Sequence, residues 1–362
     1  MMFWDDLFAK QKFVVGLSPM DGVTDAPMRF MCAKYSGDDL GVMFTEFVSV
    51  DALAHIHEPH KVEQVMKALL RAREESFRCP YEVAQVFGHN PELFYSAAVL
   101  VATLGFDGID INMGCPAHNV EDLGSGAGLI RTPDVAQAIV RATKKGIQDW
   151  ATGKVSVSDL DYSVEVKSWV EKHTRVSPLQ IIPVSVKTRI GVDKNQVAEW
   201  IPAIMEVSPA VLTLHGRTLV QLYQGKADWN AIGEAARVVH QMGGKILGNG
   251  DVLSRIEAQE KILQYGVDGV LIGRAAEGNP LFAKTIKSKP SKEQRLAWIL
   301  EHALVYQQLF VETSEPEYME RAFIPLRKHL AWYATGFAGA SQLRQRLVQC
   351  KNIEEVEASF RD

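Results

Sequence analysis

The chain has 362 residues, 47% hydrophobic and 23% charged, with a formal net charge of -5. That balance buries a sizeable core and leaves room for a barrel of ~250 residues plus a smaller domain. No apolar run approaches the ~18 residues of a membrane span, and a net negative charge gives polyanions no general attraction, so any nucleic-acid surface must be local.

From the amino terminus, short apolar runs ending in Gly, Pro, Asn or Asp alternate with longer segments of helical period. Eight runs are strand candidates: 13–19, 42–48, 82–87, 107–112, 182–188, 210–215, 245–249 and 268–272. Between them, stretches such as Pro91 to Leu104 and Arg255 to Gln264 carry their apolar residues on one helical face. Eight strand-helix units predict an α/β protein, a (β/α)8 TIM barrel. A doubly wound sheet is the alternative, but its first strand normally runs into Gly-x-Gly-x-x-Gly, whereas here it runs into Ser18, Pro19, Met20, Asp21 and Gly22.

Two intervals exceed a simple unit. About 70 residues separate the fourth run from the fifth, against the ~30 of a strand-helix-strand unit. Within them the mixed, polar stretch Trp150 to Pro178 reads as an insertion at about 147–180. Leu53 to Arg78, rich in Lys, Arg and Glu, reads as a solvated helix rather than a binding arm. Strand signals stop after Pro280, and helical spacing runs from Ser291 to Asp362. The expected division is a catalytic barrel over 1–284 and a helical domain over 291–362.

Cys115 follows the fourth run in Ile111, Asn112, Met113, Gly114, Cys115, Pro116, Ala117. Gly114 and Pro116 end the run abruptly, which puts the thiol in a turn at the strand's carboxyl end, the catalytic face of a barrel. An inert buried cysteine is the alternative, but this turn has little apolar wall to fill. Cys32, Cys79, Cys115 and Cys350 form no Cys-x-x-Cys pair, which argues against a disulfide framework or a metal site and for a reducing cytoplasm. Asp5 and Asp6 precede the first basic residue, so no secretory signal is expected.

The fifth run places Lys187 and Arg189 on one face. A lysine inside a barrel mouth is costly unless it meets an anion or a polar cofactor edge; the plainer alternative is a strand-end lysine reaching solvent. His215 and Arg217 end the sixth run, Gly248, Asn249, Gly250 and Asp251 follow the seventh, and Gly273 and Arg274 follow the eighth. Loops after strands seven and eight are the usual phosphate site of a barrel, with backbone N–H groups and a guanidinium as donors. Arg321 to Lys351 holds six positive charges (Arg321, Arg327, Lys328, Arg344, Arg346, Lys351) and no Asp or Glu in 31 residues. That is a local patch for phosphates, or else a solvated helix face. Trp332 within it reads as helix core, and Arg71, Arg73 and Arg78 form a second basic candidate.

The chain resembles the flavin-dependent tRNA-dihydrouridine synthases of bacterial type. The matches are Ser-Pro-Met-Asp-Gly-Val-Thr-Asp (18–25), Gln85-Val-Phe-Gly, Asn-Met-Gly-Cys-Pro-Ala (112–117), Val-Lys-Thr-Arg-Ile-Gly (186–191), Leu-His-Gly-Arg-Thr (214–218), Gly-Asn-Gly-Asp (248–251) and Ile-Gly-Arg-Ala-Ala (272–276). The helical tail around Arg327 to Tyr333 also resembles the family, whereas His118 and Asn119 stand where the family tends to carry lysines. The resemblance implies FMN as cofactor, NADPH as reductant and tRNA as partner, with reduction of the C5–C6 bond of a specific uridine. Pro19 and Met20, with Asp21 beside them, would back the flavin ring. Gln85 would bond its pyrimidine edge, and Lys187 would sit near N1 and O2. His215, Asn249, Gly250, Asp251, Gly273 and Arg274 would hold the ribityl chain and phosphate. The flavin N5 would deliver hydride to uracil C6 while Cys115, kept as a thiol, protonates C5. Asn112 and Arg217 would meet the uracil carbonyls, Arg189 would be a further substrate contact, and Arg327 and Lys328 would meet the tRNA backbone. A cytoplasmic monomer without metal or membrane is expected. A related FMN barrel reductase acting on a free pyrimidine or small alkene, and a non-catalytic RNA-binding relative, are the alternatives.

Overall fold

The computed structural model describes residues 2–71, 80–116, 124–174, 179–285, 289–312 and 319–361. Eight strands, β1 Val14–Leu17, β2 Val42–Ser49, β3 Tyr81–Phe87, β4 Gly108–Met113, β5 Val184–Arg189, β6 Leu212–His215, β7 Ile246–Asn249 and β8 Gly269–Ile272, close into one parallel barrel. Each expected run is a strand, with its ends within two residues of the expected ones. Near-continuous burial along the strands follows from closure: one face fills the barrel and the other lies under helices.

The first half carries α1 Phe3–Lys10, α2 Ala26–Ser36, α3 Val50–His55, α4 Pro59–Met66 and α5 Pro91–Thr103. The second half adds α6 Pro133–Ala151, α7 Val164–His173, α8 Val197–Met205, α9 Trp229–Gln241 and α10 Arg255–Tyr265. Caps mark the starts: Asp25, Asn90, Asp228 and Ser254 each accept a backbone N–H of the helix that follows.

Alternation along the strands sorts the interior into layers. Inward residues near the strand starts are apolar (Val14, Val42, Phe44, Val83, Val211, Leu247, Leu271), and Trp4 and Leu7 of α1 close that end. Towards the carboxyl ends, buried polar residues take over: Gln85, Asp110, Asn112, Ser185, Thr213, His215 and Asn249. An interior that turns polar at one end marks that end as the site.

The two long intervals meet. The expected insertion contains α7, with Val166, Trp169 and Val170 buried, and Trp169 Nε1 donates to Glu63 Oε2 of α4 at 2.8 Å. The segment from Leu53 is more than a solvated helix, since Leu53, Val62, Met66 and Leu69 are buried; residues 72–79 lie outside the described set.

After β8 come α11 Lys292–Tyr306, α12 Met319–Phe323, α13 Leu326–Tyr333, α14 Ala340–Leu347 and α15 Ile353–Ala358. Their core takes in Ala26 and Met31 of α2. Tyr35 packs edge-on to Trp298 with ring centroids 5.5 Å apart, and Lys34 and Tyr35 both bond Glu301. The helical part is thus seated on the barrel's second helix.

Candidate active site

Cys115 sits just past β4, 9% exposed, in a turn built by Asn112. Asn112 Oδ1 accepts the N–H of Gly114 at 3.0 Å and that of Cys115 at 2.8 Å. A side-chain oxygen that takes two successive amides fixes where the thiol begins. Arg189 holds the same turn from β5, its Nε donating to Gly114 O at 2.6 Å while Nη1 donates to Thr218 O at 2.9 Å and Leu222 O at 3.1 Å.

Beneath Asn112 the polar side chains form a chain. Asn112 Nδ2 donates to Gln85 Oε1 at 3.0 Å, Gln85 Nε2 donates to Asp110 Oδ2 at 2.7 Å, and Ser185 Oγ donates to Asp110 Oδ1 at 2.6 Å. Burial raises the Asp110 carboxyl to about 6, opposed by the bonds from Ser185 and Gln85 and by the charge of Lys187.

Four cations crowd the mouth. Burial, with the nearby Arg189 charge, pushes Lys187 down to about 8, and burial lowers Arg189 to about 10. Both cations lie within electrostatic reach of Cys115. His215 is held well below its ordinary range by burial and then by Lys187, Arg189, Arg217 and Arg274, so it is neutral. Lys187 pairs in register with Thr213, whose buried hydroxyl has no hydrogen-bond partner among the described residues. An orphaned hydroxyl beside an under-compensated ammonium fits a polar, anion-bearing occupant.

Asp251 ties the last loops together. Arg217 Nη2 contacts both of its carboxylate oxygens at 3.0 and 2.7 Å, Arg274 Nη2 reaches Oδ1 at 2.9 Å, and the Ala227 N–H reaches Oδ2 at 2.8 Å. Burial raises this carboxyl, but the Ala227 bond and the two guanidiniums outweigh it and hold it below its ordinary range. Gly250 has φ +127, and a β-carbon there would lie 2.6 Å from Ala227 Cβ. One on Gly273 would lie 3.3 Å from Met20 Sδ, so the turn after β8 faces the loop after β1. Pro19 and Met20 are half-buried there and Asp21 is exposed. Asn249 Nδ2 donates to Leu271 O at 2.8 Å, which locks β7 to β8.

A sequence model described as "Dihydrouridine synthase (Dus)" matches residues 16–172 and 165–361. The chain belongs to the dihydrouridine synthase family. It is similar to "Probable tRNA-dihydrouridine synthase 2" of Bacillus subtilis (strain 168), 33% identical over 99% of this chain and 96% of that one. It is also similar to "Probable tRNA-dihydrouridine synthase" of Staphylococcus aureus (strain COL), 32% identical over 98% and 94%. A third relative is "Probable tRNA-dihydrouridine synthase 1" of Synechocystis sp. (strain ATCC 27184 / PCC 6803 / Kazusa), 30% identical over 93% and 82%.

Two groups of residues given roles by the dihydrouridine synthase resemblance also make bonds within the protein. Arg217, Arg189 and Asp251 are engaged in holding loops: Arg217 also donates to Gln224 O at 3.1 Å and Gly225 O at 2.6 Å. In the helical part, Arg327 Nε donates to Cys350 O at 2.7 Å, Arg344 Nη1 to Ala334 O at 2.6 Å and Arg346 Nε to Ser359 O at 3.2 Å. Lys328 is exposed, and its ammonium lies 2.9 Å from where a β-carbon on Gly22 would stand, beside the loop after β1. Arg71 is no free RNA contact: it is buried against Glu82 at 3.3 Å and Asp107 at 3.4 Å. Arg73 and Arg78, like His118 and Asn119, lie outside the described residues.

Sequence reasoning passed over Asp110, although a carboxylate in a strand buried on both faces, two residues before Asn112, is the kind of signal that marks an inward polar position. It also passed over the Arg29–Glu82 pair, 3.1 Å apart and wholly buried. Among the described residues, no group of three or more His, Cys, Asp or Glu could hold a metal ion, and no helix is long and apolar enough to cross a membrane.

Proposed function

We propose that this chain is an FMN-dependent, NADPH-driven tRNA-dihydrouridine synthase. The observation that carries the reading is the Cys115 turn, pinned by Asn112 and Arg189 beside a mouth whose cations exceed its carboxylates. Relatives named as tRNA-dihydrouridine synthases along almost the whole chain support it. When bound, FMN supplies the hydride equivalent that saturates C6 of the uracil.

The residues divide the work by charge. Lys187 and Arg274 attract the negative charge of the cofactor, and neutral His215 offers ring contacts without adding repulsion. Arg217 and Asp251 hold the loops after β6 and β7 in place, so that the backbone at Asn249, Gly250 and Gly273 can face a phosphate. Pro19 and Met20 line the ring site, and Gln85, wholly buried and bonded to Asp110 and Asn112, keeps one Nε2 hydrogen for the ring's pyrimidine edge. Asn112 has one Nδ2 hydrogen left for a uracil carbonyl after bonding Gln85, and Arg189 keeps its Nη2 group. The Cys115 thiol holds the proton for C5. A uridine extruded from its stack reaches this mouth at a cost of a few kcal/mol. Lys328, beside the same mouth, offers a phosphate contact at its rim. Mapping dihydrouridine in tRNA from cells with and without this chain tests the reading: loss of the modification at one position supports it, and an unchanged map refutes it.

A further inference from the structure

Asp110 on β4 lies in register with Gln85 on β3 and Ser185 on β5, and its side chain is completely buried between them. Asn112 and Lys187 form the next inward layer, two residues nearer the mouth and in register with each other. An ionised carboxylate accepts hydrogen bonds and donates none. Gln85 must therefore turn its Nε2 towards Asp110, which leaves Oε1 to accept from Asn112 Nδ2. Asn112 must then point Oδ1 away, at the N–H groups of Gly114 and Cys115. Reverse the amide of Gln85 and that of Asn112 must reverse too, setting its NH2 against two N–H donors.

We propose that Asp110 is the positioning residue of this site: its carboxylate sets the orientation of the Gln85 and Asn112 amides and thereby holds the Cys115 thiol in place. The proposal rests on Cys115 being the proton donor assigned above. Lys187 is the charged group that faces Asp110, and its attraction favours the ionised form that the chain of bonds requires. An isosteric amide in place of this carboxylate removes the constraint, because an amide donates as readily as it accepts.

The test compares full-length wild type, Asp110→Asn and Asp149→Asn, the last a control carboxylate on α6 that bonds Tyr95 at 2.9 Å, Lys145 and Lys154 and none of the Asp110, Gln85, Asn112 chain. Alkylation of Cys115 by N-ethylmaleimide is followed by mass mapping, and tRNA turnover is measured in parallel. Asp110→Asn is expected to speed Cys115 alkylation about ten-fold, because the turn is released. It should also lower kcat by roughly ten- to a hundred-fold with KM for tRNA unchanged. Asp149→Asn is expected to leave both readings at the wild-type level. Wild-type values in Asp110→Asn overturn the proposal, as do equal changes in the control. If Asp110→Asn does not fold, Gln85→Ala breaks the same chain, and wild-type alkylation of Cys115 in that variant overturns it. A wild-type protein without turnover refutes the functional reading instead, while the alkylation ratio still decides the role of Asp110.

Discussion

Arg217 grips both oxygens of the Asp251 carboxylate from one nitrogen, at 3.0 and 2.7 Å, and so binds the loop after β6 to the loop after β7. The guanidinium is buried and the carboxylate about one-third exposed, so removing the carboxylate leaves a buried charge unpaired. Asp251→Ala is expected to destabilise the fold by roughly 2–4 kcal/mol. Urea unfolding measures this.

Arg274 shares that carboxylate but is 58% exposed, so it can turn to a ligand without unpacking anything. Arg274→Ala is expected to leave stability nearly unchanged and to weaken FMN binding by about 1.5–3 kcal/mol, ten- to a hundred-fold. Flavin released from heat-denatured protein, identified by chromatography, checks both the affinity and the cofactor. Release of FAD, or of no flavin from wild type, counts against the assignment.

Lys187 gives the pH dependence. Because burial and Arg189 hold it at about 8, its charge is present below that pH and is lost as pH rises through it. FMN affinity of the free protein is expected to fall between about pH 7 and 9.5, and Lys187→Met should bind weakly with no such slope. Titration by fluorescence quenching across that range reads it directly. A slope that survives in Lys187→Met assigns the titration elsewhere.

Asp25 provides a stability test with the opposite chemistry. Burial, and then the charge of Glu46, raise it to about 8 from an ordinary carboxyl value, so the folded state holds a proton that the unfolded chain has released. Stability from this group is present at low pH and lost as pH rises from about 4 to about 8. Asp25→Asn keeps an oxygen for the Met28 N–H and is expected to raise the Tm more at pH 8 than at pH 5.

Lys328 tests the RNA face more cleanly than the arginines do, since Arg344 and Arg346 also close helix-end carbonyls. Lys328→Ala is expected to flatten the salt dependence of tRNA binding by roughly 0.7–0.9 log units for one lost phosphate contact. NADPH oxidation without tRNA should not change. An unchanged slope removes Lys328 from the interface.

The barrel was legible because each strand is an apolar run cut off by a turn residue, and the Cys115 turn because Gly114 and Pro116 punctuate it. What one-dimensional reading lacked was partners. Position in the sequence made Arg189, Arg217 and Asp251 ligand candidates but hid their bonds within the protein, Arg189 to Thr218 O, Arg217 to Gly225 O and Asp251 to the Ala227 N–H. Asp110 was hidden within an apolar run, and its meaning appears only when β3 and β5 flank it. The insertion looked polar because one face of α7 is solvated; Trp169 shows its meaning only once α4 lies against it.

On the function proposed above, Cys115 supplies the proton to C5. The most direct measurement is single-turnover dihydrouridine formation in unmodified tRNA by the pre-reduced enzyme, wild type against Cys115→Ala, with NADPH oxidation followed in the same preparations. Flavin content and NADPH oxidation are expected to stay within about two-fold of wild type while dihydrouridine formation falls by roughly 10²–10⁴-fold, the weight of a lost general acid. Dihydrouridine formed at the wild-type rate by Cys115→Ala, or flavin reduction lost in equal measure, would contradict it.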